Sequence, residues 1–300
     1  MDHVLACVDG LRWRDLAPFV LSVRAHAPAA RLVIFATRLD PDTRRAMRRA
    51  GAELHCFDAL FPLGSRRTEL VRTVLWRGLS LLARTLRYPG FKRRLLLRAG
   101  GLLLPRNQAR FFAYLAFLED CTLPGDRLLL CDARDLVFQA DPFPRLGDGL
   151  VLTAEEADVP IVQNAYNARW YKETYGAALL ARHGHHPVVC AGLLGGERDA
   201  VLDFLERFVA ESCRRPRLYG ADQAILNHLH ITGSITAAPS PNRGGLAWHL
   251  FGVPPAQVRI RPDHTITDTT GHLYPIIHMY DRHDHTLGAV RKLWANDETT

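Results

Sequence analysis

The sequence predicts an α/β protein with a mostly parallel central sheet and helices on both faces. Three observations carry that prediction. Up to Phe57 the chain alternates short apolar runs with amphipathic stretches, the order that builds a parallel sheet covered on both sides. Arg127–Cys131 (RLLLC) is apolar enough to read as an interior strand. The 300 residues are 48% apolar and 23% charged, the balance of a folded chain and not of a disordered or collagen-like one.

Taken in order, His3–Val8 is a strand ended by Asp9-Gly10, Leu16–Ala25 has helical spacing, and Arg31–Ala36 is a second strand. Asp40 supplies an N-cap and Pro41 a first helical position. The helix Pro41–Ala50 then stops at Gly51, and Glu53–Phe57 is a third strand. Asn107–Leu118 (NQARFFAYLAFL) reads as a buried helix leading into Arg127–Cys131. Leu150–Thr153 is a strand, Pro187–Cys190 is extended, Glu197–Arg214 is a helix, and another helix begins near Tyr219. The chain beyond about residue 250, rich in His, Pro, Thr and Gly, reads as loops. There is no internal repeat or low-complexity linker, so residues 1–300 are expected to form a single domain.

Charge is concentrated in one place. The chain carries a formal +7, yet Ser65–Arg110 alone holds twelve Lys or Arg against one acid, Glu69, so the remainder is net acidic. Such a focus implies an anionic partner: nucleic acid, an acidic membrane surface or a phosphate-bearing substrate. In this segment Leu75, Leu79, Leu82 and Leu86 recur at helical spacing with arginines between them. Pro89-Gly90 interrupts, and FKRRLLLRAGGLLLP resumes the same chemistry. A helix with Arg on one face and Leu or Trp on the other suits a membrane interface; the alternative is a helical excursion that packs its leucines on the parent domain. Nucleic-acid binding would interleave aromatic residues with the cations, and the leucines here disfavour it.

No apolar run reaches the length of a membrane span, and the opening MDHVLACVDG reads as a strand, not a signal peptide. The six scattered cysteines include no CxxC pair, which points to reduced thiols and away from zinc ribbons and disulfide scaffolds. The expected location is cytoplasmic, with peripheral attachment at the inner membrane face through residues 65–110.

The chemistry centres on residues 127–143, RLLLCDARDLVFQADPF, where the strand emits Asp132 and Asp135 at its carboxyl end. In open α/β sheets ligands bind there, and two carboxylates facing one point suit Mg²⁺ or Mn²⁺ bound together with a diphosphate. A bare DxxD also fits a polar strand end with Asp135 as a cap and Arg134 pairing locally. Cys131 reads as a small buried strand residue, not a nucleophile.

The stretch resembles the metal-binding motif of nucleotide-sugar-dependent glycosyltransferases of the A-type fold. There an apolar strand ends in DxD or DxxD, followed by an apolar pair and Asp-Pro; here these are Asp132, Asp135, Val137-Phe138 and Asp141-Pro142. Three later stretches match in the same order. VVCAGLLGG (188–196) is similar to a segment lining donor sugar and acceptor, with Cys190 where Asn is commoner. YGADQAILN (219–227) is similar to a D-Q-x-x-x-N helix start, and PIIHMYDRH (275–283) to a late His motif.

The resemblance implies a Rossmann-like glycosyltransferase A fold. Residues 1–64 and 105–150 would form the nucleotide-binding half, 65–104 a basic helical insertion, and 151–300 the donor-sugar and acceptor half with the C-terminal metal-ligand segment. It implies Mn²⁺ or Mg²⁺ held by Asp132, Asp135 and His278, with His283 or His285 as alternatives to the last. Val8, Asp9, Arg110, Tyr114, Asp132, Arg134 and Gly192 would bind the nucleotide and donor; in particular Asp9 would meet uracil or ribose, Arg110 the diphosphate and Tyr114 the base. Asp222 and Gln223 would lie near the anomeric carbon, and Asn164, Asn167 and Trp170 would shape the acceptor side. The implied reaction moves a sugar from a nucleotide-diphosphate donor, UDP-linked by preference, to a hydroxyl on a saccharide, lipid-linked or small-molecule acceptor. Retention of configuration is favoured over Asp222 acting as the base of an inverting enzyme. Two rivals remain: nucleotidyl transfer, for which CVDGLRWRD lacks the Gly-rich triphosphate loop, and a non-catalytic protein that binds anionic surfaces or nucleic acid through the basic segment.

Overall fold

The computed structural model describes residues 1–56, 66–85, 89–121, 127–155, 159–215 and 218–294. The strand–helix alternation appears as expected: β1 (His3–Asp9), α1 (Trp13–His26), β2 (Arg31–Thr37), α2 (Pro41–Arg49) and β3 (Glu53–Cys56). Asp40 caps α2 by accepting from the Thr43 amide at 2.9 Å, and Gly51 beyond its end is left-handed, as the start and stop residues require. Phe57, expected to close the third strand, lies outside the described residues.

The basic segment forms two helices, α3 (Arg66–Thr85) and α4 (Pro89–Leu103), followed by α5 (Arg106–Asp120). Then come β4 (Arg127–Asp132), β5 (Leu136–Phe138), β6 (Leu150–Ala154), α6 (Ala165–Tyr175), α7 (Ala177–His183) and β7 (Val189–Glu197). They are followed by α8 (Arg198–Ser212), α9 (Ala221–Ile231), β8 (Ala237–Ser240), β9 (Ala247–His249), β10 (Val258–Ile260), β11 (Ile266–Asp268), β12 (Ile276–His278) and α10 (Asp284–Trp294).

The main sheet has the order β3-β2-β1-β4-β7-β6-β8. Only the two pairings made by β7 are antiparallel. A second sheet, β5-β12-β9, stands beside it, and β10 and β11 form a separate pair. One apolar layer lies between the main sheet and α5, α8 and α9; another lies under α1, around Phe19, Val20 and Phe138.

Two expectations are corrected, and one open alternative is narrowed. The extended stretch at Pro187–Cys190 belongs to a nine-residue strand running to Glu197, which glycines conceal because they weaken strand propensity. They serve close approach instead: a Cβ on Gly195 would lie 2.4 Å from the Leu128 carbonyl oxygen, and one on Gly196 1.9 Å from that of Gly149. The C-terminal region is not only loops, because it supplies β9, β12 and α10, the last packing Trp294 edge-on to His26 of α1 at 6.1 Å. In α3 the packed side is Arg72, Trp76 and Ser80, not the leucine stripe. Leu75 is exposed and Leu79 half-buried; the Leu82 side chain and Leu86 lie outside the described residues.

Candidate functional site

The acid pair sits where the two sheets meet. Asp132 ends β4 of the main sheet, Asp135 follows three residues later, and β5 of the small sheet begins directly after it. In that small sheet β12 runs antiparallel to β5 with His278 opposite Leu136, and parallel to β9 with His278 opposite His249. Register alone therefore brings His278 beside Asp135 and His249 beside His278. Met279, the next residue, is held left-handed at φ +60° while its amide donates to the Asp135 carbonyl at 2.7 Å. That bond ties the end of β12 to the acidic turn.

His278 is buried. Its Nε2 has no hydrogen-bond partner among the described residues and points at the carboxylates, 3.8 Å from Asp132 Oδ2 and 3.5 Å from Asp135 Oδ1. Two ligands of one octahedral cation with bonds of about 2.1 Å stand roughly 3 Å apart, so a small closure would suffice. One imidazole nitrogen and hard oxygens form a donor set for Mn²⁺ or Mg²⁺. Gly192 leaves the room, because a Cβ there would lie 2.5 Å from Asp132 Oδ2 and 2.7 Å from His278 Cε1. The residues present thus fit a divalent cation; His283 and His285 are not part of this cluster.

Electrostatics hold these side chains in place. Burial alone would raise the Asp132 carboxyl, but the Arg110 guanidinium and then His278 outweigh it and keep the carboxyl well below the usual range. The His278 ring is raised well above the histidine range: burial opposes this, and Cys190, Asp135 and Asp132 overcome it. Arg110 is buried and pairs through Nη1 with Asp132, and through Nη2 with the Ala191 carbonyl at 2.9 Å and Asp222 Oδ2 at 3.2 Å. Asp222 also accepts from Asn107 Nδ2 at 2.6 Å. Burial is the main cause of a raised Asp222 carboxyl, with Arg110 working against it. Gln223 is fully engaged: its Nε2 donates to the Val189 carbonyl at 2.7 Å and to Glu155 at 3.1 Å, and its Oε1 accepts from the Ala191 amide at 2.8 Å.

These groups line a cleft of about 520 Å³ together with Val8, Asp9, Arg134, Cys190, Gly192 and Trp170. Arg134 is exposed at its mouth, 3.9 Å from Asp281. The Asp9 carboxylate is gripped by Arg38 at 2.8 and 2.9 Å and by Thr37, so much of its accepting capacity is already used. Three expected residues do not reach the cleft. Tyr114 is buried between Phe35 and Phe111 and is not among the residues lining the cleft. Asn164 caps α6 by accepting from the Asn167 amide at 3.1 Å, and the Asn167 amide group faces Glu155 at 3.4 Å; both are buried and serve the fold. Cys131 is buried, which pushes its thiol up, and Cys190 is likewise raised to about 11, so neither presents a thiolate near neutral pH.

Sequence reasoning missed His249, Glu155 and Arg282, the last lying 3.6 Å from Asp135; Asn107 was expected beside the nucleotide only as the start of its helix. His249 sits in a three-residue strand with no motif around it, and Glu155 follows an ordinary apolar strand. His249 Nδ1 lies 2.8 Å from His278 Nδ1. For His278 to offer its Nε2 lone pair, its proton must sit on Nδ1 and be donated to His249. Burial, reinforced by His278, lowers His249 well below the histidine range, so it is a neutral acceptor. Partners of this kind orient metal-bound imidazoles and are worth about 10–100-fold in metal affinity. His249→Leu is expected to weaken Mn²⁺ binding by that factor, read by the paramagnetic resonance of free Mn²⁺, while His249→Asn, which keeps an acceptor at the Nδ1 position, retains most of it. Equal affinity in the leucine variant would count against this role.

No protein-family model matches the sequence, and no curated protein matches it. Solved structures do. The galactosyltransferase LgtC in complex with donor and acceptor sugar analogs superposes with a TM-score of 0.52 over 99% of this chain and 97% of that one, at 16% identity. An active-site glutamine-to-glutamate mutant of LgtC superposes with the same score and coverage at 17% identity. At this identity the likeness is one of fold: the chain has the glycosyltransferase A fold over nearly its whole length.

Proposed function

We propose that the protein is a metal-dependent glycosyltransferase that moves a sugar from a nucleotide-diphosphate donor, UDP-linked by preference, to a hydroxyl group of an acceptor. The observation that carries this reading is the convergence of Asp132, Asp135 and the unpartnered His278 Nε2 at the carboxyl end of β4, within a fold shared with a galactosyltransferase. A divalent cation on these three residues would neutralise charge on the leaving diphosphate, a Lewis-acid contribution of several kcal/mol.

The chain's own residues supply the rest. Val8 and Asp9, at the end of β1, form the wall for ribose and base, and Arg134, exposed at the mouth and only loosely paired with Asp281 at 3.9 Å, is a cation that can turn to phosphate oxygens. Arg110 serves the diphosphate indirectly, by holding Asp132 ionised and in place. Asp222, fixed by Arg110 and Asn107, is a positioned negative charge for an oxocarbenium-like transition state. Both of its oxygens are engaged, which favours retention over a role as a mobile base. Gln223, whose amide holds the Val189 carbonyl and the Ala191 amide, would keep the β7 backbone beside the sugar. The half-buried Trp170 and exposed Tyr219 at the rim give a stacking surface for a saccharide, lipid-linked or small-molecule acceptor.

Titration calorimetry of UDP and GDP, with and without Mn²⁺, tests the reading. One nucleotide is expected to bind only with the metal, and Asp135→Ala is expected to lose that binding while remaining folded. Absence of metal-dependent nucleotide binding to the wild-type protein would sink the proposal. If binding holds, the anomeric configuration of the product, read by proton resonance, decides between retention and inversion.

A further inference from the structure

The helical hairpin α3–α4 stands outside the chemistry described so far. Its inner side is packed: Trp76 meets Phe112 edge-on at 5.7 Å, Arg72 donates to the Leu102 carbonyl at 2.9 Å, and Leu97, Leu103 and Leu104 join the core around α5. Its outer side is not. Of the eleven large apolar side chains exposed among the described residues, six lie here: Leu70, Val71, Val74, Leu75, Leu81 and Phe91. At 100° per residue the five on α3 fall within about 140° of one face, opposite Trp76 and Ser80. Leu70, Val74 and Leu81 are 66%, 61% and 64% exposed, an unusual concentration for a surface that stays in water.

The charge on the same hairpin says what covers this face. Arg77 on α3 and Arg94 and Arg98 on α4 are exposed, with no ion pair among the described residues, unlike Arg93, which Glu119 and Glu206 hold. A second copy of the chain would bring two such basic surfaces together, which repels, and a nucleic acid would leave the aliphatic stripe unused. An anionic bilayer satisfies both features, taking the stripe at the acyl boundary and the guanidinium groups among its phosphates. No helix among the described residues is long and apolar enough to cross a membrane, so α3 would lie in the interface plane.

We propose that the α3–α4 hairpin is a docking surface for an anionic lipid membrane, with the Leu70–Leu81 face of α3 inserted. The hairpin runs almost directly into α5, whose first turn, with Arg106 and Asn107, lines the cleft. The proposal does not depend on the transfer reading, and its test uses neither metal nor nucleotide.

The experiment is co-sedimentation of the full chain with phosphatidylcholine vesicles with and without phosphatidylglycerol, at low and high salt. Binding is expected only to the anionic vesicles and is expected to weaken with salt. Arg94→Glu with Arg98→Glu should reduce it by at least about tenfold. Val74→Asp with Leu81→Asp, at exposed positions that leave the core intact, should abolish insertion, read as lost protection of α3 amides from hydrogen exchange on vesicles. Failure of the wild-type protein to bind anionic vesicles, or binding that both variant pairs leave unchanged, would overturn the proposal. So would a dimer in sedimentation velocity that Val74→Asp with Leu81→Asp splits, because the stripe would then belong to a second copy.

Discussion

Arg110→Met is expected to destabilise the protein by about 3–5 kcal/mol at neutral pH, because it strips the shared cation from two carboxylates and leaves Asp222 to the Asn107 amide and Asp132 to the more distant His278. Arg110 contacts Asp132, Asp222 and the Ala191 carbonyl at once, and methionine keeps the volume but none of the charge. The pH dependence follows from both acids. Asp132 has a depressed folded value, so its contribution is present above the unfolded value of about 4 and disappears as pH falls through the folded one. Asp222 has a raised value, so its ionised form costs stability as pH rises through that value, and losing Arg110 enlarges the cost. Both effects make the deficit greatest near neutrality and smaller in acid. Urea unfolding of wild type and variant at neutral pH and near pH 4 checks this. Asp222→Asn in the Arg110→Met background should recover part of the loss. A deficit that is small, or that grows on acidification, would mean that Arg110 belongs to the surface cluster and not to the site.

Gly192→Ala is expected to lower Mn²⁺ affinity and metal-dependent transfer by about 100-fold or more, with only a modest change in thermal midpoint. The backbone at Gly192 is not left-handed, so alanine meets a problem of space alone: its Cβ would fall 2.5 Å from an Asp132 oxygen and 2.7 Å from a His278 ring carbon. Neither neighbour can move freely, since Arg110 grips Asp132 and the β5-β12-β9 sheet with His249 fixes His278. One methyl group therefore pushes two ligands out of register, and a displacement near 1 Å at a reacting centre costs about that factor. Mn²⁺ binding followed by resonance, alongside the melting curve, separates the site from the fold. Unchanged affinity in a folded variant would show that the cation, if bound, does not need Asp132 and His278 together.

The alternation of β1, α1, β2, α2 and β3, the capped start of α2, the interior strand β4 and the acid pair at its end were all legible in the sequence. Each is encoded locally, by apolar period, a cap or a turn residue. Asp132 and Asp135 were read from one motif and His278 from another more than 140 residues later, and the tertiary structure brings them together because β5 and β12 pair in one register. That structure alone decided the roles of Arg110, His249 and Glu155. A buried guanidinium between two acids has no signature in a chain where arginine is abundant, and a histidine in a three-residue strand has none at all. It also removed Tyr114, Asn164 and Asn167 from the cleft, since helical position determines burial and sequence spacing does not fix which face turns inward. The strand β7 stayed hidden because glycines chosen for backbone contact lower the propensity by which strands are recognised. Likewise, composition located the basic segment, but only packing of Trp76 and Arg72 against the body decided which face of α3 is left exposed.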